Sequence, residues 1–266
     1  TINAKGLLGR DHPLDLGANA ALPAVRELAA NADVILAIGT ELGETDYDVV
    51  FDDGFHLNGT LIRIDLDPEQ LVRNQRTTLG LVGDAGRSLE LLLTHFSAPL
   101  KRQGGERTAA ALNALGLADD PAFSDFIPLY ATLAEHLPEA ILVGDSTAPV
   151  YAGNHLVSQP APRRYFNAST GYGTLGYGLP AALGAQLAQP DLPVVALVGD
   201  GGVMFTLSEI ATAVEARLPV VIVLWHNAGY EEIRRYMDAN GVARLGVDIQ
   251  APNFLTLAEG FGCPGM

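Results

Sequence analysis

Two short apolar runs constrain the fold of this chain more than any other feature. Residues 194–198 (VVALV) lead into Gly199-Asp200-Gly201, and residues 219–225 (PVVIVLW) lead into His226-Asn227, with twenty-five residues between Gly201 and Asn227. Their shortness and β-branched content read as strands buried on both faces, as in a parallel sheet. Between them, Leu207, Ile210, Ala211 and Val214 fall at helical spacing and predict a crossover helix over 205–217. Neighbouring parallel strands joined in this way deliver the Asp200 carboxylate and the Asn227 amide oxygen to one sheet edge. The glycines flanking Asp200 permit a sharp turn and leave room for a bulky neighbour. Oxygen ligands at such an edge suit Mg²⁺, which keeps water and takes further ligands from phosphate. The pair therefore reads as a metal–diphosphate site.

The same alternation recurs along the chain. Residues 22–30 predict a helix, 34–39 a buried strand, 60–65 a second strand, 81–84 a short third one and 87–96 a helix. Further on, 126–137 reads as a helix, 140–144 as a strand with Asp145-Ser146-Thr147 at its carboxyl end, 165–168 as a strand and 178–187 as a small-residue helix. A helix is also expected over 253–260. The fold class is α/β, with two three-layer α/β/α units and mostly parallel sheets. Residues 1–97 form the first unit and 121–266 the second. Residues 98–120, which include the polar, glycine-bearing stretch 101–107, read as an exposed linker.

Bulk properties narrow the partners. A formal net charge of −15 disfavours nucleic acid and anionic membrane surfaces. No apolar run reaches the roughly 20 residues needed to cross a bilayer. The single Cys263 excludes an internal disulfide framework and, with no signal peptide in view, fits a cytoplasmic location. The chain starts at Thr1 and stops shortly after its last expected helix, so it reads as a fragment at both ends.

Gly171-Tyr172-Gly173-Thr174-Leu175-Gly176 fits the dinucleotide fingerprint G-x-G-x-x-G, with a helix and an acid-tipped strand after it. An NAD(P)-dependent oxidoreductase is the alternative this supports. Against it, Asp200 is wedged among Gly199, Gly201 and Gly202, which a ribose-binding acid does not require, and 166–170 is a poor buried strand.

The G-D-G…N spacing of Asp200 and Asn227 resembles the diphosphate-anchoring motif of thiamine-diphosphate-dependent enzymes. Residues 171–185 (GYGTLGYGLPAALGA) closely resemble the cofactor segment of the acetolactate synthase and 2-oxo-acid decarboxylase superfamily. Residues 1–6, 11–14, 64–68 and Gly83-Asp84 resemble its middle domain, and 227–237 (NAGYEEIRRYM) is most similar to a branch that includes 5-guanidino-2-oxopentanoate decarboxylases.

The resemblance implies a thiamine diphosphate- and Mg²⁺-dependent decarboxylase or carboligase of 2-oxo acids, with 1–97 a partial middle domain and 121–266 a diphosphate-binding domain truncated at its end. It makes Asp200, the Asn227 side chain and the Gly229 carbonyl metal ligands. It brings Gly199, Gly201 and Gly202 close to the diphosphate through the backbone, although relatives carry a hydroxyl residue where Gly202 supplies none. Gly144, Asp145 and Ser146 approach from the other side. Ser146 is the best donor there, and Asp145 is expected to hold the loop, since a carboxylate repels phosphate. Leu175 supports the thiazolium and the Gly173 carbonyl faces the aminopyrimidine, while the cofactor supplies the electron sink. The activating glutamate belongs to a pyrimidine-binding domain with no counterpart here. The chain is therefore expected to be inert alone and to work in a homodimer or homotetramer. A catalytically silent cofactor-binding or assembly domain is the third reading.

Other residues carry weaker expectations. Tyr230 either lines the pocket or packs beside it. Glu231 or Glu232 is the candidate substrate-proximal acid, and Arg234 and Arg235 are expected to be solvated or ion-paired. His12, His56, His95, His136, His155 and His226 show no zinc-site spacing. His226 either faces the cofactor or packs at the strand end. In acetolactate synthases an arginine-bearing segment follows the strand ending near Gly39. Here that place holds Thr40-Glu41-Leu42-Gly43-Glu44-Thr45-Asp46, three acids in seven residues, so FAD is not expected.

Overall fold

The computed structural model describes residues 1–43, 55–97 and 103–266. Glu44, Thr45 and Asp46 of the acidic loop, and Lys101 and Arg102, lie outside the described residues. The chain divides into two compact units, one of Asp11–Gly116 and one of Leu117–Met266 together with Ile2–Arg10.

The first unit holds a parallel sheet in the order β1 (Val34–Ile38), β2 (Thr60–Asp65), β3 (Leu79–Val82). Ala37, Leu42, Phe55 and Leu61 form its buried cluster. Helix α1 (Pro23–Ala30) opens on proline, whose fixed φ suits a first turn. Asp84, expected to end a strand, instead caps α2 (Ala85–Thr94), accepting from Arg87 N at 2.9 Å. Part of the stretch read as linker is also structured: α3 (Gly104–Ala114) buries Thr108 and Ala111 and packs against α1. The Ala-rich face after residue 107 drives this helix, whereas the polar residues before it suggested an exposed tether.

After a single helical turn at Pro121–Ser124, the second unit runs through α4 (Ile127–His136), β4 (Ile141–Gly144), α5 (Ala148–Leu156), β5 (Tyr165–Asn167) and α6 (Gly178–Ala188). It then runs through β6 (Val194–Gly199), α7 (Asp200–Val203), α8 (Glu209–Glu215), β7 (Val220–Trp225), α9 (Glu231–Ala239) and α10 (Phe254–Gly260). Its four strands are parallel in the order β5-β4-β6-β7. Every residue of β4 and β6 is buried, as short central parallel strands should be. Leu179, Ala182 and Leu183 of α6 pack on Val143, Val194, Ala196 and Val198 from these two strands.

Three local differences from the sequence reading have physical causes. Ile2–Arg10 packs with the second unit because Lys5 is buried there, its Nζ donating to Val157 O at 2.7 Å. Helix α5 was not expected; it starts at the proline-bearing turn after Thr147 and buries Val150, Ala152, Gly153 and Asn154. The helix expected over 205–217 is confined to α8, and the separate short helix α7 precedes it across a turn at 204–208. Thr206 Oγ1 donates to Gly176 O at 3.0 Å, and this tether draws the intervening turn onto the glycine-rich loop.

Candidate functional site

The register of the second sheet brings three loops to one edge. Gly144 pairs with Leu197 and Gly199 with Trp225, so Asp145-Ser146, Asp200-Gly201 and His226-Asn227 leave the sheet side by side. Asp200 is 2% exposed, and both of its oxygens accept hydrogen bonds. Its Oδ2 accepts from Ala228 N at 2.6 Å, His226 Nδ1 at 2.8 Å and Asn227 N at 3.1 Å, while Oδ1 accepts from Gly201 N at 2.8 Å. The buried carboxylate thereby wraps the 226–228 loop around itself. Ala228 adopts φ +56°, an unusual value for a residue with a side chain.

Asp145 organises the other half. It is 0% exposed; Oδ1 accepts from Ser146 N at 2.8 Å, and Oδ2 from Gly176 N at 2.9 Å and Gly178 N at 3.2 Å. Burial raises its pKa, against the lowering effect of these three amides. The carboxylate holds the glycine-rich loop to the end of β4, as the repulsion argument anticipated. Gly202 lies close beside it: a Cβ there would be 3.1 Å from Asp145 Cγ, a tight contact. At Gly201 a Cβ would strike the Tyr230 ring at 2.6 Å, so Tyr230 packs on the glycine turn. Gly173, at φ +64°, lies opposite Ser146, whose Oγ would be 3.7 Å from an added Cβ. Leu175 is half-buried in the same loop.

These contacts allow a test of whether the site fits a metal and a diphosphate. Ser146 Oγ is buried without a hydrogen-bond partner, so a donor waits at the strand end. Among the described residues, neither the Asn227 side chain nor the Gly229 carbonyl is engaged in a hydrogen bond. One carboxylate, one amide oxygen and one carbonyl make a hard oxygen set suited to Mg²⁺. No cluster of three His, Cys, Asp or Glu occurs among the described residues, and this set requires only one acid.

Beyond Asn227 the chain turns into α9 through an antiparallel bridge between Gly229 and Asp248. Arg234 donates to Asn227 O at 2.9 Å and pairs with Asp248 at 3.1 Å and with Glu231. Arg235 pairs with Glu231 at 3.2 Å. Glu231 is thus occupied by two arginines, whereas Glu232 forms no ion pair among the described residues. Burial pushes the Tyr151 hydroxyl up, the Ser146 side chain beside it opposes the shift, and the nearby charges of Glu232 and Asp145 add to it. Tyr151 and Thr206 were not singled out from the sequence. Nothing in their spacing marks them, because α5 and the Thr206 tether exist only in the folded unit. In the acidic loop Glu41 is a solvated surface residue, its side chain 56% exposed and 3.7 Å from Arg73.

Comparison with known proteins gives two family matches. Residues 144–266 match "Thiamine pyrophosphate enzyme, C-terminal TPP binding domain", and residues 1–92 match the central domain of the same enzymes. A probable 2-ketoarginine decarboxylase of Pseudomonas aeruginosa is 35% identical over 99% of this chain and 47% of its own length. An acetolactate synthase large subunit of Parasynechococcus marenigrum is 28% identical over 88% of this chain and 39% of its own length. The isozyme 3 large subunit of Escherichia coli acetolactate synthase is likewise 28% identical, over 89% and 43%. The chain spans less than half the length of each of these curated relatives.

Proposed function

Because the chain belongs to the thiamine pyrophosphate enzyme family, we propose that it carries the magnesium and diphosphate half of a thiamine diphosphate site in an enzyme acting on 2-oxo acids. The observation behind this reading is the buried Asp200 carboxylate at the sheet edge, with free oxygens of Asn227 and Gly229 in the loop it organises. Asp200, Asn227 and Gly229 hold Mg²⁺. Ser146 donates to the diphosphate, and Gly144, Gly199, Gly201 and Gly202 keep the backbone close to it. Asp145 holds the loop that carries Gly173 and Leu175 toward the rest of the cofactor, and Tyr230 supports the glycine turn. When bound, thiamine diphosphate supplies the electron sink for cleavage beside the 2-oxo group.

The dinucleotide alternative is disfavoured by Asp145. Its carboxylate already takes the amide protons of Gly176 and Gly178, so a pyrophosphate on that loop would meet a buried anion instead of free donors. Similarity to the 2-ketoarginine decarboxylase favours decarboxylation of a 2-oxo acid with a cationic side chain. Glu232 is the acid we assign to that charge, since Glu231 is taken up by Arg234 and Arg235. The group that activates the cofactor is assigned to a pyrimidine-binding domain of the parent protein or its neighbour, in a cytoplasmic homodimer or homotetramer.

The test is CO₂ release by the full-length enzyme from 5-guanidino-2-oxopentanoate, 2-oxohexanoate and pyruvate. The guanidino acid should be preferred, and activity should vanish on chelation and return with Mg²⁺ and thiamine diphosphate. Glu232→Gln should erode the preference for the cationic substrate. NAD(P)-dependent oxidation that is indifferent to thiamine diphosphate would overturn the proposal.

A further inference from the structure

We infer that His226 is a positioning residue for the metal: its imidazole locks the Asp200 carboxylate so that Oδ1 is the oxygen offered to Mg²⁺. The inference rests on the metal-site reading above. An ionised carboxylate only accepts hydrogen bonds, so Nδ1 is the donating nitrogen in the 2.8 Å contact with Asp200 Oδ2. With Asn227 N and Ala228 N at 3.1 and 2.6 Å, Oδ2 then faces three donors and has no lone pair to spare. Oδ1 faces one, Gly201 N, and keeps a lone pair free. Turning the carboxylate about its own bond would break all three contacts to Oδ2 at once, so its orientation is fixed before any metal arrives.

The ring itself is held from a second direction. Phe254 meets His226 edge-on with centroids 5.8 Å apart. Phe254 is the first residue of α10, whose N-cap Asn253 accepts from Thr256 N at 3.0 Å. The half-exposed imidazole thus meets the carboxylate on one side and the first residue of a capped helix on another. Without it, Oδ2 would keep only the two amides of the 227–228 loop, where Ala228 sits at φ +56°. Partners that orient a metal ligand in this way alter metal affinity by about 10- to 100-fold.

Two substitutions separate the donor from the ring. Phenylalanine keeps an aromatic ring against Phe254 but has no N–H. Asparagine keeps the donor, because its Nδ2 and the imidazole Nδ1 both hang from Cγ, and has no ring. The measurement is Mn²⁺ binding to the full-length protein with thiamine diphosphate, read from the free-Mn²⁺ EPR signal, alongside the melting temperature in EDTA. His226→Phe should bind Mn²⁺ about 10- to 100-fold more weakly, and His226→Asn should bind nearly as the wild type even if it melts earlier. Should the phenylalanine variant fail to fold, His226→Ala supplies the donor-free comparison. Wild-type affinity in the donor-free variant, or equal losses in both variants, would overturn the inference. A wild type that binds no Mn²⁺ would overturn the site reading itself and this inference with it.

Discussion

Asp145 has no exposure and three backbone amides for company, so its two oxygens are committed to shape and not to a ligand. Asparagine in its place would turn an N–H₂ toward amides that also donate. Asp145→Asn should therefore cost about 1–3 kcal/mol of stability, measured by urea unfolding, and loosen the loop carrying Gly173 and Leu175. Gly176 makes a companion case: at φ +84° a Cβ would fall 2.8 Å from Phe205 Cβ. Gly176→Ala should destabilise by more than about 1 kcal/mol in the same assay. Much at this scale is legible in the sequence. Asp200 and Asn227 announce themselves by the strands they terminate, and the loop-holding role of Asp145 follows from the repulsion between carboxylate and phosphate. His226 is not legible in this way, because a histidine at a strand end says nothing about which way its ring turns. The choice between Glu231 and Glu232 likewise depends on Arg234 and Arg235 closing on one acid.

At the scale of elements, the regular strands and long helices follow from apolar periodicity, and the irregular pieces follow from contacts distant in sequence. The turn between α7 and α8 depends on the Thr206 tether to a loop thirty residues earlier. Helix α3 was obscured by the polar run before it, and α5 by its small residues. Gly153 in α5 exists because a Cβ there would fall 2.2 Å from Tyr130 Oη. On the same helix, His155 stacks edge-on against Phe123, and burial, with the Lys5 charge, lowers its pKa from 6.5 to about 4. The folded state thus disfavours the protonated ring. Its contribution is present above pH 6.5 and is lost as the pH falls through about 4. Across that window the loss approaches about 3 kcal/mol. His155→Phe, which keeps a ring, should flatten the acid limb of a melting-temperature profile; an unchanged limb would refute this assignment.

At the scale of the whole molecule, two α/β units with parallel sheets accompany matches to the central and C-terminal domains of thiamine pyrophosphate enzymes. No helix among the described residues is long and apolar enough to cross a membrane. On the proposed function the chain supplies metal ligands and a diphosphate cradle, so cofactor retention, more than turnover, is the property its own residues should govern. The most direct measurement is calorimetric titration of thiamine diphosphate into the full-length enzyme, with and without Mg²⁺, for wild type, Asp200→Ala and Glu41→Ala. Wild type and Glu41→Ala should bind alike and only with Mg²⁺, while Asp200→Ala should lose Mg²⁺-dependent binding. Equal affinity in wild type and Asp200→Ala would contradict the metal role of Asp200.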